Sequence, residues 1–170
     1  MNPFESILTE FAKHVNLEEI NDFLKYHVLI VDNISIEFVH HSDSDGDYLL
    51  LVADLGQVPI HARGTVYKYL LSANLVFQGT GGSTLGIHAE TDNVIQTFAV
   101  PNNALEPEKL TDIVKGFVDV AEYWRSSLEN WRENDVNTDD DLPEQFFAEL
   151  NAPQAPTSSS IAYADQFIRG

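Results

Sequence analysis

Cysteine is absent from the 170 residues, which excludes disulfides and thiolate-held metals. The absence suits a reducing compartment. Positive charge is scarce: 9 Lys and Arg stand against 27 Asp and Glu, a formal net charge of −18. That excess repels phosphate backbones and anionic lipid surfaces, so nucleic acid and membranes are poor partners and a basic protein segment is a better one. No uncharged apolar run approaches the ~18 residues needed to span a bilayer. The start, Met1-Asn2-Pro3-Phe4-Glu5, has neither the basic charge nor the apolar run of a signal peptide. A cytoplasmic protein without membrane insertion is expected.

The usual catalytic signatures are missing as well. Ser72, Ser83 and Thr65 lie outside any Gly-x-Ser-x-Gly elbow. Gly79-Thr80-Gly81-Gly82-Ser83 is glycine-rich, but no Gly-Lys-Ser/Thr ending follows and it leads into a strand. A tight helix-to-strand turn explains it better than a phosphate cradle. Asp43-Ser44-Asp45-Gly46-Asp47 has its glycine too early for a calcium loop and reads as a hairpin turn. His40 and His41 face opposite sides of a strand, and His14, His27, His61 and His88 are scattered, so no metal site is expected. Neither an enzyme nor a cofactor is anticipated.

What the chain does contain is enough apolar residue, 44%, to build a core. Asn2, Pro3 and Glu5 suit a helix start, and Phe4, Ile7, Leu8, Phe11 and Val15 recur at helical spacing. A shorter segment, Leu17 to Leu24, is helical in part. Val28 to Val31 reads as a strand, Asp32-Asn33 as a turn, and Ile34, Ile36 and Phe38 alternate as a half-buried strand does. Tyr48 to Leu55 is nearly continuous in apolar residues, which predicts a central strand covered on both faces. A helix over 61–76 carries two adjacent apolar rows, Val66/Leu70/Ala73/Phe77 and Tyr67/Leu71/Leu75. A helix apolar on two sides is buried on both, which predicts a homodimer with this helix at the interface. Two strands, Thr84 to His88 and Val94 to Val100, flank a hairpin loop. The last long helix starts near Glu106 or Pro107 and runs through Leu110, Ile113, Val114, Phe117, Ala121, Trp124, Leu128 and Trp131.

After Glu133 the composition changes. Residues 134–170 hold 7 acids and 1 base, with prolines, a serine run and the apolar patches Phe146-Phe147/Leu150 and Ile161-Ala162-Tyr163/Phe167-Ile168. The division expected is a folded domain over 1–133 and an acidic, flexible tail over 134–170. In the domain, the stripe Phe4/Ile7/Leu8/Phe11 is either core packing or a groove for a partner segment, and the strand from Ile34 to His40 is a candidate edge for strand addition.

The order of elements resembles the Tir chaperone (CesT) family of type III secretion chaperones. The likeness lies in Leu70-Leu71-Ser72-Ala73-Asn74-Leu75 with Gln78-Gly79-Thr80-Gly81-Gly82, then Leu85-Gly86-Ile87, a strand ending at Val100-Pro101, and Phe117 to Trp124 of the last helix. It covers about residues 3–130. The resemblance implies an α+β fold: a twisted, mainly antiparallel sheet of about five strands packed with three helices (α-β-β-β-α-β-β-α), as a homodimer. It implies a chaperone that binds an extended segment of a type III effector and keeps it export-competent, with the export ATPase as a further partner. By the same likeness Phe4, Ile7, Leu8, Phe11, Ile34, Ile36 and Phe38 lie near the effector surface, and Tyr67, Leu71 and Leu75 near the dimer interface. A regulatory or adaptor domain of the same fold is the alternative.

Overall fold

A computed structural model of the chain describes residues 3–44, 46–102 and 105–133. The expected tail and the capping residue Asn2 lie outside the described residues. The first helix, α1 (Pro3–His14), buries Phe4, Ile7, Leu8, Phe11 and Ala12. It stops at a left-handed Asn16 (φ 54), where the Leu17 N–H donates back to the Ala12 carbonyl at 2.9 Å. A second helix, α2 (Ile20–Tyr26), follows and is closed by a left-handed His27. Among the described residues there are therefore four α-helices rather than three. Phe23 alone is buried along α2, and so short a segment shows little periodicity in sequence.

Strands β1 (Val28–Val31), β2 (Ile34–Asp43) and β3 (Gly46–Gln57) form an antiparallel meander. The two-residue turn between β1 and β2 has positive φ at both Asp32 (49) and Asn33 (64), which matches the twist of the flanking strands. The Asp43 carboxylate accepts the Gly46 N–H at 3.2 Å across the next turn. Helix α3 (Arg63–Asn74) starts after a 3₁₀ turn at Ile60–Ala62. It ends sooner than residue 76, because the chain tightens into a 3₁₀ turn over Leu75–Phe77, where Val76 and Phe77 both take positive φ (49 and 57). Then come β4 (Thr84–Ile87), β5 (Asn93–Pro101) and α4 (Pro107–Glu133).

The sheet order is β1-β2-β3-β5-β4, antiparallel throughout. Its inner face carries Ile34, Ile36 and Phe38 from β2 and Leu49, Leu51, Ala53 and Leu55 from β3, all buried. The alternation in β3 is plainer than its apolar run suggests: Leu50 and Val52 on the other face are only half-buried. Helix α4 packs across β3 with α1 beside it. Phe11, Phe23 and Phe38 form a ring cluster with centroids 5.2–6.1 Å apart, which joins α1 and α2 to the sheet.

The glycine-rich turn fits its place by size. A Cβ on Gly82, at φ +90, would meet the Phe98 ring at 2.9 Å, and one on Gly81 would meet Val120 at 3.1 Å. Trp124 Nε1 donates to the Gly79 carbonyl at 2.9 Å, so the turn is fastened to α4. Beneath it Gln96, fully buried, donates from Nε2 to Ser83 Oγ and to the Phe117 carbonyl.

Candidate functional site

The seven side chains expected near an effector surface lie in the core. Phe4, Ile7, Leu8, Phe11, Ile34, Ile36 and Phe38 are none of them more than 5% exposed. The stripe on α1 covers the inner face of the sheet and meets the row from β2, so each hides the other. Nor is β2 an edge: it is paired on both sides, with β1 and with β3.

Among the described residues the edges of the sheet are β1 and β4, and they differ. At β4 the Asn74 side chain acts as a short piece of neighbouring strand. Its Nδ2 donates to the Leu85 carbonyl at 2.8 Å and its Oδ1 accepts the Leu85 N–H at 2.9 Å. At β1 no such cover exists among the described residues, where its ladder partner is β2 alone. The Phe38 N–H donates to the His27 carbonyl, which fixes the alternation of that ladder. His27, Leu29 and Val31 bond to β2, so Val28 and Ile30 turn their N–H and C=O groups outward. Their side chains are exposed too, 38% for Val28 and 70% for Ile30, with Tyr26 at 61% just before them. Arg125 of α4 donates to the Asn33 carbonyl at 2.6 Å and holds the β1–β2 turn in place.

A second apolar surface lies on α3 and the turn after it. Leu71, Leu75, Val76 and Phe77 are 73, 68, 67 and 46% exposed. The two rows of this helix thus separate: Val66, Leu70 and Ala73 face the core, whereas Leu71 and Leu75 face away from it. Tyr67, half-buried, borders the outer row. Its hydroxyl donates to Asp92 Oδ1 at 2.7 Å, and Arg63 pairs with the other carboxylate oxygen. That hydrogen bond, with burial behind it, raises the Tyr67 pKa above its ordinary value.

Among the described residues, no three His, Cys, Asp or Glu side chains converge to hold a metal ion. His40 and His41 meet Asp47 (3.5 Å) and Asp43 (3.4 Å) separately. No helix among the described residues is long and apolar enough to cross a membrane. The chemistry offered is that of recognition: an open main-chain edge with apolar side chains, and an apolar helix face.

The sequence reading overlooked Val28 and Ile30. The run Val28-Leu29-Ile30-Val31 is apolar throughout, so it has no alternation to mark the outward residues. The signal available was positional: a strand entered from a helix and left by a two-residue turn has one strand neighbour at that turn, and its other side is open unless a later strand returns to it.

The fold and its surfaces define a protein-binding α+β scaffold. A profile described as the Tir chaperone protein (CesT) family matches residues 6–125, so the chain belongs to the type III secretion chaperones of that family. No curated protein matches the chain. Among solved structures, the crystal structure of the ExsC-ExsE complex contains a chain with the same fold. That chain is 20% identical at a TM-score of 0.55, over 73% of this protein and 92% of its own length. The HopA1-SchA chaperone-effector complex contains a chain 17% identical at a TM-score of 0.48, over 78% of this protein and 94% of its own length.

Proposed function

We propose that this protein is a homodimeric type III secretion chaperone that holds an effector segment in extended form, beginning with strand addition to β1. The observation that carries the reading is the contrast between the two sheet edges: at β4 the Asn74 side chain takes both outward main-chain groups of Leu85, while at β1, among the described residues, Val28 and Ile30 are open in both main chain and side chain. The core residues of α1 and β2 act beneath this surface by fixing the plane and register of the hairpin. The net charge of −18 favours a basic effector segment and speeds its capture.

The outer row of α3 supports the dimer. Four exposed apolar residues in one patch, two of them at positive φ, suit a surface completed by a second copy. Chemistry consistent with this role is binding without turnover, in the cytoplasm, by a domain spanning residues 1–133.

The test is limited proteolysis of the N-terminal segment of a type III effector encoded beside this chain. With the chaperone at saturating concentration the segment survives digestion, and Ile30→Pro abolishes that protection. Equal digestion with and without the chaperone would sink the proposal.

A further inference from the structure

The outer face of the sheet, turned away from α1 and α4, carries a carboxylate beside the open edge. Strand parity fixes that face. Ile34, Ile36 and Phe38 of β2 point into the core, so Glu37 between the last two points out, and it is exposed. The ladder register sets its neighbours: Val28 of β1 on one side and Val52 of β3 on the other, with Val39 two residues along. Directly opposite side chains on adjacent strands have Cβ atoms about 5 Å apart. Glu37 is thus a carboxylate set among valines, and Val28 alone separates it from the edge.

Other acids of this face are engaged. Asp54 accepts from Asn93 Nδ2 at 2.7 Å and from the Gly56 N–H at 2.9 Å, and Asp43 faces His41 at 3.4 Å. Lys25, just before β1, lies over the Tyr26 ring, 4.7 Å from its centroid. Among the described residues the Glu37 side chain makes no hydrogen bond or ion pair.

We propose, on the reading that a client strand adds to β1, that Glu37 selects that client through a Lys or Arg at the position paired with Val28. Val28 turns its N–H and C=O outward, so the client residue that pairs with it shares its outer face. At strand spacings of about 4.8 Å, the backbone of that residue lies roughly 10 Å from that of Glu37. The long stem of Lys or Arg crosses Val28 and brings its charge to the carboxylate, whereas a short side chain falls short. An acid at the same position meets like charge.

The adjoining client positions call for apolar side chains. Ile30, 70% exposed, faces the small, uncharged Ser35 across the ladder, so the client residue paired with Ile30 has an apolar neighbour and no charge to meet. Leu29 points to the inner face and packs against the core, and a client side chain paired with it extends that packing. The client sequence laid along β1 from Val28 to Ile30 is therefore base, apolar, apolar. The net charge of −18 draws in any basic segment, while Glu37 fixes which base is read and in which register.

Calorimetry with the full chain and the N-terminal segment of the type III effector encoded beside it tests this. We expect Glu37→Arg to weaken binding about tenfold and Glu37→Gln to weaken it by less. Glu129→Arg, the same change of net charge at an exposed position on α4, keeps the affinity within about twofold of wild type. One Lys or Arg of the segment, changed to Glu, loses affinity for the wild-type chain and regains it with Glu37→Arg. Wild-type affinity in both Glu37 variants, an equal loss in Glu129→Arg, or no segment variant restored by a folded Glu37→Arg chain would each overturn the selection. Ile30→Pro separates this from its premise. Undiminished binding there removes strand addition itself, whereas binding lost in Ile30→Pro and intact in Glu37→Arg removes only the role of Glu37.

Discussion

Asn74 hydrogen-bonds Leu85 twice, donating to its carbonyl at 2.8 Å and accepting from its amide at 2.9 Å. One side chain at the end of α3 thereby takes up both outward main-chain groups of Leu85 at the β4 edge, whereas the β1 edge has no such cover among the described residues. It also ties the exposed turn Leu75–Phe77 to β4.

Replacing Asn74 with Ala should therefore act on β4. Leu85, a buried residue, is left with an unpaired N–H and C=O, at a cost of about 1–3 kcal/mol. Hydrogen exchange should show faster exchange at Leu85, and a thermal melt should show a lower Tm, with the Val28–Val31 amides unaffected.

Ile30→Pro tests the open edge. The Ile30 amide makes no ladder bond, so proline removes an outward donor without breaking the sheet, as edge positions permit. The expected outcome is a stability within about 0.5 kcal/mol of wild type by denaturant titration. Effector-segment affinity, measured by calorimetry, should fall at least tenfold. Phe38→Ala should do the reverse in kind: it should cost about 3–5 kcal/mol of stability, because the ring fills the centre of the aromatic cluster.

Leu71→Asp combined with Leu75→Asp should convert a dimer into a monomer in sedimentation velocity. Both side chains are largely exposed in the single chain, so the change should leave the fold of each protomer intact by circular dichroism. An unaltered sedimentation coefficient would remove this face from the interface.

Gly82→Ala should destabilise the helix-to-strand turn by roughly 1–3 kcal/mol. The added methyl meets the Phe98 ring at 2.9 Å, and alanine resists the φ of +90. Gly86→Ala is the control, since its Cβ would meet nothing within 4 Å.

The raised pKa of Tyr67 predicts an alkaline loss of stability. The folded state keeps the phenolic proton to higher pH than the unfolded chain does. The contribution is thus complete below pH ~10 and disappears as pH rises through the folded-state pKa. Tyr69, raised mainly by burial, acts in the same direction. A Tyr67→Phe chain should lose less stability than wild type between pH 9 and pH ~11, measured by urea midpoints.

Much of the fold could be read from residue order because the period of the pattern changes with each element. The stripe Phe4/Ile7/Leu8/Phe11, the alternation Ile34/Ile36/Phe38 and the two rows of α3 all correspond to real elements. The candidate site was harder to read. An apolar stripe states that one face of a helix is covered, but not whether its own sheet or a foreign chain covers it. Here α1 and β2 cover each other, and the exposed residues belong to the uniform run Val28–Val31. The single apolar residue buried on α2, Phe23, explains why that helix could be marked only as partly helical.

If a client pairs with β1 as proposed, the brevity of that strand sets how it is let go. Four residues with two turned outward offer two donors and two acceptors, each net hydrogen bond contributing about 0.5–1.5 kcal/mol. A strand held that way detaches pair by pair from either end, while Arg125 keeps the hairpin seated on α4. Handing over cargo then requires no melting of the carrier, which is left ready for the next polypeptide.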